Sequence, residues 1–204
     1  MKIRTAATAA LTLAAALTLA GCADGSGSES MPGMDHGSSS SPSSSSTVTA
    51  DFNDADVMFA QMMIPHHQQA VEMADVILDK EGIDPGVLTL ASDIKAAQQP
   101  EIDQLQSWLT EWGADMPDMD SMEGMDHGGG MMSEDDMAAL EAATGAEASR
   151  LFLEQMTMHH EGAIEMAQDE VDNGQNADAV AMAQTIVDTQ TAEIAEMQEL
   201  LAQL

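Results

Sequence analysis

Two stretches of this 204-residue chain, FAQMMIPHHQQAVEMA at 59–74 and FLEQMTMHHEGAIEMA at 152–167, are copies of one another. They coincide at Phe59/Phe152, Met63/Met156, His66/His159, His67/His160, Ala70/Ala163, Glu72/Glu165, Met73/Met166 and Ala74/Ala167. The agreement continues downstream, where Gln98, Glu101, Ile102 and Gln106 match Gln190, Glu193, Ile194 and Gln198. Apolar residues recur in each copy at three- and four-residue spacing, the mark of an amphipathic helix. One such helical hairpin cannot bury its own apolar stripe, whereas two packed together can. The duplication therefore predicts an all-α fold, a four-helix bundle built from two equivalent hairpins.

Element boundaries follow from the same pattern. The first helix carries Phe59, Met62, Met63, His66, Ala70, Met73 and Ile77 on one face and is expected to end near Gly82 as a left-handed cap. Asp84-Pro85 restarts the chain as N-cap and first helical residue, and the second helix stops at Trp112-Gly113. Pro65 and Pro100 fall inside these helices, so each should kink its helix or free a carbonyl one turn back. Ser133-Glu134-Asp135-Asp136 opens a short helix to about Thr144, a long one runs to Asn173-Gly174, and Asn176 caps the last. Three Phe, two Trp and no Tyr against 19 Met make an aliphatic and thioether core, which favours helix over sheet.

The remaining segments read differently. Lys2 and Arg4 precede an apolar run from Thr5 to Leu19 and then Leu19-Ala20-Gly21-Cys22. This resembles a bacterial lipoprotein signal over residues 1–21, which implies cleavage before Cys22 and lipid attachment to its sulfur. Cys22 is the sole cysteine, so neither a disulfide nor a thiolate metal ligand remains for the folded body. Residues 22–50 are a Ser/Gly-rich tether, 51–113 the first hairpin, 114–132 a Met/Asp/His/Gly linker and 133–204 the second hairpin. With 36 acidic residues against five basic ones and a net charge of −31, nucleic acid and anionic bilayer surfaces are repelled. The expected place is outside the cytoplasmic membrane, held to its outer face by the lipid alone.

At about 100° per residue, His66 falls within roughly 20° of Phe59 and Met73 on the helix, so it faces the core, and His159 does the same in the second copy. His67 is expected at the edge of the stripe or in a helix seam. Counting outward from each hairpin turn places Gln98 level with His66 and Gln190 level with His159, with Glu101 and Glu193 one turn on. Such a polar layer is costly to bury unless its members bond one another or hold something. One reading is a hydrogen-bonded layer that fixes register. The other is a metal site in which His66, His67, His159 and His160 join Met63, Met73, Met156 and Met166, oriented by Gln98, Gln190, Glu101, Glu193, Glu72 and Glu165.

Methionines outside the helices favour the metal. Met31, Met34, Met116, Met119, Met122, Met125, Met131 and Met132 stand in polar segments with no core to join, and Met34-Asp35-His36-Gly37 recurs as Met125-Asp126-His127-Gly128. Thioether plus imidazole without thiolate suits Cu(I), while imidazole with carboxylate also takes Cu(II). Candidate loop ligands are Met34, His36, Met116, Met119, Met122, Met125 and His127.

The doubled pattern Phe-x3-Met-x2-His-His-x2-Ala-x-Glu-Met-Ala, each followed by Gln-x2-Glu-Ile, resembles the domain of unknown function 305 over about residues 51–204. That family comprises bacterial secreted or lipid-anchored proteins with a ferritin-like four-helix fold, some of them copper-binding. The resemblance implies extracytoplasmic copper binding or tolerance, with Met63, His66, His67, Glu72 and Met73 and their second-copy counterparts at the matching positions. Pro65 faces Met158 in the alignment, so the half-sites need not be equivalent. The expected function is non-catalytic: a lipoprotein that buffers or sequesters copper and exchanges it with an envelope protein. The alternatives are a structural or interaction module of the envelope and a ferritin-like di-metal oxidoreductase. The last requires Glu-x2-His motifs that this chain lacks.

Overall fold

The computed structural model describes residues 51–116 and 129–204. These form helices α1 (Asp54–Leu78), α2 (Pro85–Trp112), α3 (Glu134–Ala142), α4 (Gly145–Asn173) and α5 (Ala177–Leu201), with no strand among the described residues. No helix among them is long and apolar enough to cross a membrane. The signal segment, Cys22 and the tether lie outside the described residues.

Local chemistry accounts for most helix ends. Asn53 caps α1 in a reciprocal box with Asp56, Ser133 caps α3 with Asp136, and Asn176 caps α5. Asp84 accepts from the Gly86 N–H at 2.8 Å with Pro85 at the first helical position, and Gly113, at φ 66°, closes α2 in the left-handed conformation. Gly82 does not cap α1 as expected. The helix stops at Leu78 with Asp79 as its cap, and Gly82, at φ 76°, serves the turn that follows. The apolar stripe runs out at Ile77. Just beyond, Lys80 is drawn aside to donate to the Glu141 and Ala143 carbonyls at 2.6 and 3.0 Å, where α3 ends. Neither Pro65 nor Pro100 ends its helix.

Helix α1 packs along α2 and α4 along α5, the two hairpins meet chiefly through α1 and α4, and α3 lies against both of these. The duplication shows in how the hairpins are tied. Asp56 on α1 accepts from the Gln175 and Asn176 N–H groups at 3.0 and 2.8 Å, where α5 begins. Ser149, its counterpart on α4, accepts from the Asp84 N–H at 3.1 Å, where α2 begins. Each hairpin's first helix thus covers a backbone donor at the start of the other's second helix.

The core is divided in two. One apolar cluster gathers Met73, Ile77, Leu90, Ile94, Leu140, Phe152, Leu153 and Met156, and the other Phe59, Met63, Ile64, Leu105, Trp108, Ala163 and Ile186. On every long helix the residue between the clusters is polar: Gln98 on α2, Gln190 on α5, and the histidine pairs on α1 and α4. Each large apolar side chain in these clusters contributes roughly 1.5–3 kcal/mol on burial. The intervening polar layer contributes nothing of that kind.

Candidate metal centre

His66, His67, His159 and His160 are all fully buried. The His66 and His159 rings lie against one another, centroids 3.7 Å apart and planes tilted by 40°. Because these residues are duplicates, the contact marks the pseudo-two-fold axis relating the hairpins. Their neighbours are partnered within their own hairpins: His67 Nε2 is 2.8 Å from a Glu101 oxygen and His160 Nε2 is 2.8 Å from a Glu193 oxygen. His67 does sit in a helix seam, between α1 and α2, but it is as deeply buried as His66 and not at an edge. The period of one helix could not reveal this, because the cover comes from α2.

The central pair is different. Neither ring nitrogen of His66 or of His159 has a hydrogen-bond partner, and the amide oxygens of Gln98 and Gln190 in the same layer have none either. Burial pushes the His66 imidazole down to about 3, helped by nearby His67 and His160 and opposed weakly by the Gly129 backbone. Burial lowers His159 well below its ordinary value, with His66 the next cause. Both rings are therefore neutral at pH 7, with lone pairs free, the protonation state in which imidazole binds a metal. Among the described residues no three His, Cys, Asp or Glu side chains converge in metal-binding geometry. A site here must draw on other donors. Met63 and Met156, each fully buried and one turn before its histidine, are the nearest thioethers by helix position.

Other expected residues lie at other levels. Met73 and Met166 are seven positions on from His66 and His159, about 10 Å along the axis, Met73 in the core and Met166 half-buried. Glu72 and Glu165 are exposed. The carboxylates that touch histidine are Glu101 and Glu193, because a residue six positions on from a core-facing one lies about 120° round the helix. Met116 is 43% exposed. Met34, His36, Met119, Met122, Met125 and His127 lie outside the described residues. Met132 was expected to have no core to join, yet it is buried and packs in the first apolar cluster.

Two residues of the site have no counterpart in the sequence reading. Residues 129–132 cross α4 and α1 beside the histidine layer. The Gln69 amide holds the Met132 backbone from both sides, donating to its carbonyl at 2.8 Å and accepting from its N–H at 2.7 Å. Gly162, at the duplicate position, leaves no space at all: a Cβ there would fall 1.3 Å from the Gly129 carbonyl oxygen. Both residues stand three positions after the first histidine of their copy. The available signal was Gly162 itself, since glycine inside a helix costs about 1 kcal/mol against alanine.

Similarity to known proteins agrees with this architecture. A DUF305 protein from Streptomyces coelicolor, described as a putative secreted protein, is 34% identical, covering 73% of this chain and 93% of that one with a TM-score of 0.67. A DUF305 fragment from Deinococcus radiodurans is 31% identical, covering 74% and 98%, at 0.65. CopM in its Cu(II)-bound form is 33% identical, covering 72% and 96%, at 0.62, and it has also been solved with Cu(I) and silver. No curated protein matches in sequence. The model of the domain of unknown function DUF305 matches residues 56–201, and the chain belongs to that family.

Proposed function

We propose that this protein binds copper outside the cytoplasm, held to the membrane by a lipidated Cys22, and buffers or sequesters the ion without catalysing a reaction. The observation that carries the reading is the central pair: two neutral, fully buried imidazoles, one from each hairpin, with all four ring nitrogens unpartnered. Leaving such groups unsatisfied costs about 1–3 kcal/mol apiece, and a bound ion removes that penalty at one nitrogen of each ring. His66 and His159 would hold the ion, with Met63 and Met156 supplying thioethers. Cu(I) is the soft form of copper and is matched to imidazole with thioether donors. Glu101 and Glu193 hold the outer histidines in place. CopM, a relative at 33% identity, has been solved with copper bound.

The test is an anaerobic Cu(I) titration against a chromophoric chelator, with wild type and the His66→Leu/His159→Leu variant. Wild type should take copper from a weak chelator and the variant should lose the bundle equivalent. Failure of wild type to compete would defeat the reading. A structural role for the whole layer is the second reading, favoured by the two His–Glu bonds. It predicts equal copper uptake by both proteins.

A further inference from the structure

The pseudo-two-fold axis creates two grooves between α1 and α4, and the molecule treats them differently. One lies over the second half of α1 and is closed by α3: Leu140 is fully buried there and the Gln155 amide donates to the Asp136 carbonyl at 2.9 Å. The other lies over the first half of α1 and the second half of α4 and, among the described residues, is left open as a cleft of about 510 Å³. Where the closed groove has Leu151, Gln155, Met73 and Ile77, the open one has Met58, Met62, Met166 and Glu170 at the duplicate positions.

These replacements make little sense as packing. Met58 is 60% exposed, and a thioether left in water gains nothing from burial. Met58 and Met62 are four apart on one helix face, side by side, and Met166 lines the same cleft from α4. Glu165, Asp169 and Glu170 also line it, and among the described residues no Lys, Arg or His does. Glu170 is almost fully buried where its duplicate is isoleucine, and no hydrogen-bond donor reaches either carboxyl oxygen. Asp56 lies beside it, a second carboxyl that Glu170 meets without repulsion when it is the neutral acid.

We propose that this cleft is a second metal site, separate from the histidine layer, that binds a soft monovalent cation, Cu(I) or Ag(I), through the thioethers of Met58, Met62 and Met166 with a Glu170 oxygen as a further donor. Soft sulfur donors select such ions over Mg(II) or Ca(II), and the carboxylates around them concentrate cations at the opening. Met62 stands one turn before His66, so the cleft lies about one helical turn along α1 from the buried layer.

The test is a silver nitrate titration of the full chain, labelled at the methionine methyl groups, in chloride-free buffer, followed by proton–carbon correlation spectra. The Met58, Met62 and Met166 signals, assigned by single Met→Leu variants, should move together, and should still move in His66→Leu/His159→Leu. The triple variant Met58→Leu/Met62→Leu/Met166→Leu, whose volume-conserving changes are tolerated by helical packing, should bind one silver ion fewer than wild type. Unmoved signals, an unchanged silver count in the triple variant, or equal displacement by magnesium would each overturn the proposal. If the cleft signals move while wild type and the double histidine variant bind equal amounts of silver, the cleft stands and the histidine site fails.

Discussion

Removing the central histidines should stabilise the metal-free protein and abolish much of its sensitivity to acid. In the folded chain burial lowers His66 from 6.5 to about 3, and lowers His159 in the same direction. A group whose folded pKa is depressed binds fewer protons folded than unfolded, so its contribution to stability is present above pH 6.5 and is lost as pH falls toward 3. At pH 5 the unfolded histidines are almost fully protonated and the folded ones are not, which costs about 2 kcal/mol for His66. His159, lowered in the same direction by burial, adds to that loss. In His66→Leu/His159→Leu that slope disappears, and at pH 7 relief of the unpartnered nitrogens adds about 2 kcal/mol per ring, less what the new side-chain shape costs. Urea melts of both proteins in excess chelator at pH 7, 6 and 5 measure this directly. The falling negative charge of an acidic surface affects both proteins alike and cancels in the comparison. Parallel loss of stability from pH 7 to pH 5 would refute the claim that the pair is buried neutral.

Other perturbations test separate parts of the structure. Gly162→Ala should destabilise by about 1–3 kcal/mol in thermal or urea melts even though alanine is the better helix former, because the Cβ meets the Gly129 carbonyl at 1.3 Å. Glu101→Ala leaves the His67 Nε2 without its partner and should cost about 1–3 kcal/mol in urea melts, and Glu193→Ala should cost the same amount at His160 if the two halves are equivalent. Burial and the adjacent Asp56 raise Glu170 from 4.5 to about 8. The folded state therefore keeps a proton that the unfolded chain loses, so wild type should lose stability as pH rises from about 4.5 to 8, and Glu170→Gln should show a flatter profile in the same melts.

Much of this was readable from residue order. The paired motifs, the apolar spacing and the caps at Asp84, Ser133 and Asn176 depend on neighbours within a turn or two, and the structure reproduces them. Gly82 misled because a glycine suited to a left-handed cap is equally suited to a turn. His67 was left open between the edge of the stripe and a helix seam, because a residue there is buried or exposed according to what the next helix lays over it. The grip of Gln69 and Gly162 on residues 129–132 joins parts of the chain separated by dozens of residues, and periodicity carries no information at that range.

What the sequence alone determined is a two-fold repeat of helical hairpins with histidine, glutamine and glutamate set into an apolar stripe, since helix geometry converts spacing directly into direction. Only the tertiary structure decided that the His66 and His159 rings come into contact, that His67 and His160 are taken up by Glu101 and Glu193, and that α3 closes one α1–α4 groove while the described residues leave the other open. Those outcomes depend on how two hairpins dock. Docking is settled by shape and burial summed over the whole interface, and no local pattern encodes it.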